Sequence, residues 1–173
     1  MSQTKKLLKV IIAGEGGIGK TTLLNKFCHN QYVEDQSLTV GTDFFVKCFE
    51  FREGDYQFLQ IWDLGGQERF RFLMDIFVKG AAGAILGFDV RQRISFLNLE
   101  NWLTMLYEID PELPIILVAM KTDMDYHPTL NSDMAQDMVE AYGLIGFVEL
   151  SSKLGLNIED PFQTLVKYIR NTH

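Results

Sequence analysis

Few cysteines, few histidines and no long apolar run characterise this chain of 173 residues. The two cysteines, Cys28 and Cys48, form no C-x-x-C pair and the three histidines are scattered, so neither a metal centre built on these residues nor a disulfide framework is expected. No apolar stretch approaches the about 20 residues that span a bilayer. These absences favour a cytoplasmic globular protein without direct insertion into a membrane.

Basic residues are also scarce, with 16 Lys and Arg against 23 Asp and Glu and a net charge of −7. This balance argues against nucleic acid as a partner, because phosphate backbones attract a basic surface. The length fits a single domain over residues 1–173, which we expect to be a monomer. The chain carries neither a myristoylation nor a prenylation signal, so membrane association is expected only through a lipidated tail or a partner outside it.

Short apolar runs alternate with helical patterns, which indicates an α/β fold. Six strands are predicted, at residues 7–13, 43–51, 56–62, 84–90, 115–120 and 144–150. Helices are predicted at residues 21–30, 94–109, 132–141 and 158–169. The turn at residues 52–55 makes the second and third strands a hairpin, so we expect a mostly parallel sheet with one antiparallel strand, flanked by about five helices. Ligands of such sheets bind at the carboxyl ends of the strands.

The most informative motif is G-x-x-x-x-G-K-T at residues 14–21, between the first strand and the first helix. Its glycines let backbone N–H groups approach anionic oxygens, and the helix directs its positive end at them. Lys20 adds a charge for the β- and γ-phosphates, and Thr21 offers a hydroxyl to Mg²⁺. The motif predicts nucleotide contacts, which we assign to Glu15, Gly16, Gly17, Ile18, Gly19, Lys20, Thr21 and Thr22.

The string W-D-L-G-G-Q-E at residues 62–68 narrows the class of nucleotide-binding protein. Asp63 is suited to hold Mg²⁺ through water, Gly66 to reach a γ-phosphate with its amide, and Gln67 to orient an attacking water. With this string the chain resembles the Ras superfamily of small GTPases, whose fold is the P-loop NTPase G domain. The resemblance implies that Thr39 is a further Mg²⁺ ligand and that Gln67 is the catalytic residue.

The resemblance extends to the elements that recognise the base. M-K-T-D at residues 120–123 resembles the family's N-K-x-D, which implies that Asp123 pairs with guanine while the stem of Lys121 lies over the ring. L-S-S-K at residues 150–153 resembles the S-A-K element, which assigns base contacts to Ser151, Ser152 and Lys153. Tyr32 stands where the family packs an aromatic side chain against the base.

Within the superfamily the chain is most similar to the Rab branch, on the strings at residues 40–44, 62–70, 79–81 and 85–90. In that branch effectors contact an aromatic cluster, which corresponds here to Phe44, Trp62 and Phe77. The alternative is that these rings only pack strands and a helix together.

Two positions depart from the family pattern. Met120 replaces the Asn that ties the base loop to the phosphate loop, so weaker nucleotide affinity is expected. Gly65 replaces an Ala and is expected to loosen the loop that follows it, residues 66–72, which corresponds to the family's second switch.

Together these features predict a molecular switch that binds GTP and GDP with Mg²⁺ and serves membrane trafficking or a related process. Effectors, exchange factors and GTPase-activating proteins are the expected partners. No Arg or Lys lies between residues 31 and 42 to accelerate hydrolysis, so slow turnover is expected without an activating protein. The alternatives are a guanine-nucleotide-binding module that does not cycle and a P-loop small-molecule kinase, for which no arginine-bearing lid segment is evident.

Overall fold

The computed structural model describes residues 6–34, 38–66 and 68–172. In this part of the chain six strands form one sheet, in the order β2-β3-β1-β4-β5-β6. The strands are β1 Leu8–Ala13, β2 Thr42–Arg52, β3 Asp55–Leu64, β4 Gly83–Asp89, β5 Ile115–Met120 and β6 Gly146–Glu149. Only the β2–β3 pairing is antiparallel among the described strands, as the hairpin turn predicts.

Helices cover both faces of the sheet. They are α1 Lys20–His29, α2 Met74–Val78, α3 Arg93–Leu97, α4 Leu99–Ile109, α5 Ser132–Tyr142 and α6 Asp160–Thr172, with a 3-10 helix at Glu68–Leu73 before α2. Every residue of β4 and β5 is buried, because parallel strands in the middle of a sheet are covered from both sides. The expected α/β fold with a mostly parallel six-stranded sheet is confirmed.

The two faces carry separate apolar cores. Trp102, Leu103 and Phe88 are among the residues that pack between the sheet and helices α2 to α5. On the opposite face α1 and α6 meet over β1, where the rings of Phe27 and Phe162 stack with centroids 3.8 Å apart. Among the described residues no helix has the length and apolar character needed to cross a bilayer.

One helical prediction was wrong in detail, and one helical segment was not predicted. The helix expected over residues 94–109 is divided at Asn98 into α3 and α4, although the amide of Asn98 still donates to the carbonyl of Ile94 at 3.0 Å. The segment at residues 68–78 is helical, but its sequence does not show a single apolar face. Met74 and Val78 are buried, whereas Phe72 and Ile76 are exposed. Short helices of this kind depend on packing more than on local propensity.

Candidate functional site

A cleft of about 470 Å³ opens at the carboxyl ends of β1, β3 and β5, the edge at which an α/β sheet binds ligands. Its size is typical of small-molecule sites. Its walls come from the phosphate loop, the segment before β2, the end of β3 and the two base loops. The lining residues are Gly16, Gly17, Ile18, Gly19, Lys20, Thr21, Thr22, Tyr32, Glu34, Leu38, Thr39, Gly66, Arg91, Met120, Lys121, Asp123, Met124, Ser152 and Lys153.

The phosphate loop turns sharply into α1 at Gly19, whose φ of 106° lies in the region that favours glycine. No side chain caps the N-terminus of α1, so its first N–H groups remain available to an anion. Lys20 is buried, and its Nζ donates to the carbonyl oxygens of Gly14 and Glu15 at 2.9 and 2.8 Å. Burial lowers the pKa of Lys20 to about 8, against the opposing effects of Asp63 and Glu15. This end of the cleft therefore offers one ammonium group and the backbone donors of α1 to an anion.

Three oxygen-bearing side chains from separate segments converge beside Lys20. Thr21 Oγ1 donates a short hydrogen bond to Asp63 Oδ2, and Thr39 Oγ1 lies 2.9 Å from Thr21 Oγ1 and 3.4 Å from Asp63 Oδ2. Asp63 is fully buried, so desolvation raises the pKa of its carboxyl, and among the described residues its Oδ1 has no hydrogen-bond partner. Hard oxygen donors with one unsatisfied buried carboxylate oxygen fit Mg²⁺.

At the opposite end of the cleft the two base loops are tied together. Ser151 Oγ donates to Asp123 Oδ1 at 2.8 Å, and Thr122 Oγ1 donates to the carbonyl of Leu150 at 2.9 Å. Lys121 Nζ donates to the carbonyl of Gly17 at 2.9 Å and so reaches across to the phosphate loop. The carboxylate of Asp123 is thereby fixed at the cleft wall, where it can accept hydrogen bonds.

Gly66 packs directly against the phosphate loop. A Cβ built on Gly66 would lie 2.1 Å from the backbone N of Gly16, so no side chain fits in this arrangement. The second switch and the phosphate loop are therefore in backbone contact at the point where the sequence predicts a γ-phosphate contact.

Most of the predicted nucleotide-contact residues line the cleft, but two do not. The carboxylate of Glu15 bonds instead to Arg71 and Trp102, and Ser151 is buried behind Asp123. Gln67, predicted as the catalytic residue, lies outside the described residues.

Sequence reasoning missed Glu34, Leu38, Arg91 and Met124 as lining residues. Arg91 follows the buried carboxyl end of β4, and that position is the signal that could have identified it.

The aromatic cluster predicted as an effector contact is assembled in the structure. The ring centroids of Phe44 and Trp62 are 6.0 Å apart, and those of Trp62 and Phe77 are 5.7 Å apart. Lys9 Nζ lies 4.6 Å from the Trp62 ring. Phe44 is 56% exposed, so one side of the cluster faces solvent.

Comparison with known proteins agrees with this geometry. The Ras family model matches residues 9–171. Ras-related protein Rab7 of Pisum sativum is 38% identical, over 96% of this chain and 84% of that protein. RABG3f of Arabidopsis thaliana is 37% identical over the same shares, and RABA2a of the same plant is 35% identical over 94% of this chain and 75% of its own length. The resemblance seen in the motifs is thereby confirmed, and the chain is a small GTPase that belongs to the Ras family, in its Rab branch.

Proposed function

We propose that residues 1–173 form one GTP-binding domain that alternates between GTP- and GDP-bound states, hydrolyses GTP slowly and recruits effectors in membrane trafficking. The observation that carries this proposal is the convergence of Thr21, Thr39 and Asp63 next to Lys20. These residues come from α1, from the segment before β2 and from the end of β3. A ligand that engages all three links the phosphate loop to both switch segments.

The side chains divide the work between phosphate and base. Lys20 and the N-terminus of α1 hold the phosphates, while Asp123 accepts hydrogen bonds from a purine that presents two adjacent donors, as guanine does. Thr21, Thr39 and Asp63 would hold Mg²⁺, which neutralises phosphate charge when bound. Thr39 and Gly66 flank the phosphate loop, so loss of the terminal phosphate removes an anchor from the loops around Thr39 and across residues 66–72.

Slow hydrolysis is expected because Arg71 and Arg91, two arginines that the described residues place near the cleft, are both engaged by carboxylates. Arg71 is paired with Glu15 and Arg91 with Asp89, both at 2.9 Å. We expect a single-turnover rate of about 10⁻⁴ to 10⁻³ s⁻¹, with acceleration by a partner that inserts an arginine. A rate above about 10⁻² s⁻¹ without any partner contradicts this.

Nucleotide identity is tested by denaturing the purified protein and separating what it releases by chromatography. Guanine nucleotide is expected from the natural chain and from Asp125→Ala, whose side chain is exposed and does not line the cleft. Asp123→Ala should retain at least about a hundredfold less guanine nucleotide, because the guanine donors that Asp123 accepts from would be left unpaired in the site. Adenine nucleotide, or none in the presence of magnesium, contradicts the proposal.

Switching is tested by comparing two bound states. Binding partners captured with a non-hydrolysable GTP analogue should differ from those captured with GDP, because a ligand with equal affinity for both conformations shifts no population. Capture of the same partners in both states favours the alternative, a guanine-nucleotide-binding module that does not cycle.

A further inference from the structure

Asp89, the last residue of β4, is a fully buried carboxylate at the base end of the cleft. Its Oδ1 accepts from the backbone N of Arg91 at 2.9 Å and from Arg91 Nε at 3.2 Å. Its Oδ2 accepts from Arg91 Nη2 and pairs with Lys121 Nζ, both at 2.9 Å. Burial alone would raise the pKa of Asp89, but the hydrogen bonds from Arg91 and Lys121 outweigh it and hold the pKa below its ordinary value. The carboxylate is therefore ionised and saturated with donors.

Lys121 is held between this carboxylate and the phosphate loop. Its Nζ also donates to the carbonyl of Gly17, which makes a continuous link from β4 through the base loop to the phosphate loop. The backbone of Lys121 has a φ of 63°, a conformation that is strained for a non-glycine residue and persists only where surrounding contacts impose it. Asp89 supplies one of those contacts.

The neighbouring Met120 cannot make such a link. It is buried, and its thioether packs near Gly19 and Gly87. A thioether is at most a weak acceptor and donates no hydrogen bond. The polar connection across this end of the cleft consequently passes through Lys121 and the group that orients it.

We propose that Asp89 is a positioning residue that holds Lys121 across the phosphate loop, with Arg91 fixing the plane of its carboxylate, and so slows the release of guanine nucleotide. The inference rests on the proposed function, since it assigns a role within the same cleft. Asp89 does not line the cleft and acts through Lys121, whereas Arg91 forms part of the cleft wall. The ion pair between Asp89 and Lys121 thus takes the place of the link to the phosphate loop that Met120 cannot make.

The test measures release of a fluorescent GDP analogue into excess unlabelled GDP by stopped flow. Asp89→Asn should release the analogue at least about tenfold faster, because loss of one member of a buried charged pair acts mainly on dissociation. The association rate constant should stay within about twofold, whereas general structural damage would also slow association. Arg91→Ala should release it about threefold faster, and this half-exposed position tests the role even where Asp89→Asn folds poorly.

Ser95→Ala is the matched control. Ser95 is buried and its Oγ bonds the backbone of Asp89, at 3.0 Å from the amide and 3.3 Å from the carbonyl oxygen. Neither of these bonds involves the carboxylate of Asp89. Its removal disturbs the same strand end but leaves the carboxylate in place, so release should change by less than about twofold.

A double-mutant cycle decides whether Asp89 acts through Lys121. In a Lys121→Ala background, Asp89→Asn should change release by less than about twofold, because the group it positions is gone. Met120→Asn should slow release in the Asp89→Asn background by restoring a polar side chain at the adjoining position.

Different results would contradict the positioning role of Asp89 and the proposed function. A natural chain that retains GDP while Asp89→Asn and Arg91→Ala release it at the unchanged rate contradicts the positioning role alone. A natural chain that retains no guanine nucleotide contradicts the proposed function and the positioning role together.

Discussion

At the scale of single residues, the two thiols differ in their surroundings. Cys28 is half-buried in α1, and desolvation raises its pKa to about 11 although Lys47 opposes the shift, while Cys48 is exposed on β2. Because the thiolate is the reactive form, we expect iodoacetamide at pH 8 to modify Cys48 at least about tenfold faster than Cys28. Intact-mass measurements on Cys28→Ser and Cys48→Ser give each rate separately. Equal rates, or a Cys28 rate that does not rise as the pH approaches 11, would contradict the shift.

Gly65 is a second residue whose surroundings constrain substitution. A Cβ on Gly65 would lie 2.7 Å from the carbonyl oxygen of Gly41 and 2.8 Å from that of Thr39, and its amide donates to Gly41 at 2.7 Å. The loosening expected from glycine at this position remains a prediction. In the structure the lack of a side chain lets the segment at Thr39 and Gly41 lie against Gly65.

Gly65→Ala should therefore lower the free energy of unfolding by about 1–3 kcal/mol, because the new methyl group overpacks the two carbonyls. Gly146→Ala is the control, since a Cβ there meets nothing within 4 Å. It should be neutral or stabilising by up to about 1 kcal/mol through the unfolded chain. Urea unfolding with saturating GDP measures both variants, and equal stabilities would show that Gly65 and the segment at Thr39 and Gly41 move apart at no cost.

At the scale of elements, Glu15 connects three parts of the fold. Its Oε1 accepts from Arg71 Nη2 in the 3-10 helix at 2.9 Å and from Trp102 Nε1 in α4 at 3.0 Å. The Arg71 guanidinium lies 5.0 Å from the centre of the Trp102 ring. The phosphate loop, the second switch and α4 therefore share one partly buried polar cluster.

Glu15→Ala should release the 3-10 helix and change the emission of Trp102, since the indole loses its acceptor. We expect trypsin to cleave after Arg71 several-fold faster, because an opening that costs about 1–2 kcal/mol less is populated more often. Glu68→Ala, an exposed change in the same helix, controls for loss of charge. Unchanged cleavage in Glu15→Ala would mean that apolar packing alone holds this segment.

Local sequence patterns predicted the strands and loops, but they did not predict the contacts of the Glu15 cluster. β5 was predicted to the residue, because a continuous apolar run bounded by polar residues carries its own signal. The phosphate and base loops were predicted from motifs, and most of the residues assigned to them line the cleft. The bond between Glu15 and Trp102 joins residues 87 positions apart, and no local pattern indicates it. The division at Asn98 was missed because the apolar periodicity runs through it. Arg91 was missed although its position after the buried end of β4 carried a signal.

At the scale of the whole molecule, the last helix is fastened to the edge of the sheet by Arg170. Its Nη1 donates to Asp55 Oδ2 at 2.6 Å, and its Nη2 and Nε donate to Gln57 Oε1 at 2.9 and 3.2 Å. The guanidinium lies 4.7 Å from the centre of the Phe51 ring. Gln57 is buried, and its Nε2 donates onward to the carbonyl of Lys6. One side chain thus joins α6, the β2–β3 hairpin and the segment before β1.

Arg170→Ala should lower the free energy of unfolding by about 2 kcal/mol, because it leaves the buried Gln57 oxygen without its donor. Arg170→Lys should recover only part of this loss, since an ammonium cannot reproduce the planar fork that reaches two acceptors. Lys167→Ala, an exposed change on the same helix, should alter stability by less than about 0.5 kcal/mol. Urea unfolding at fixed GDP and magnesium concentrations compares the three, because bound ligand adds its own stabilisation to each. If Arg170→Ala and Lys167→Ala unfold at the same urea midpoint, α6 is held by its apolar face alone and the hydrogen bonds of Arg170 contribute nothing to stability.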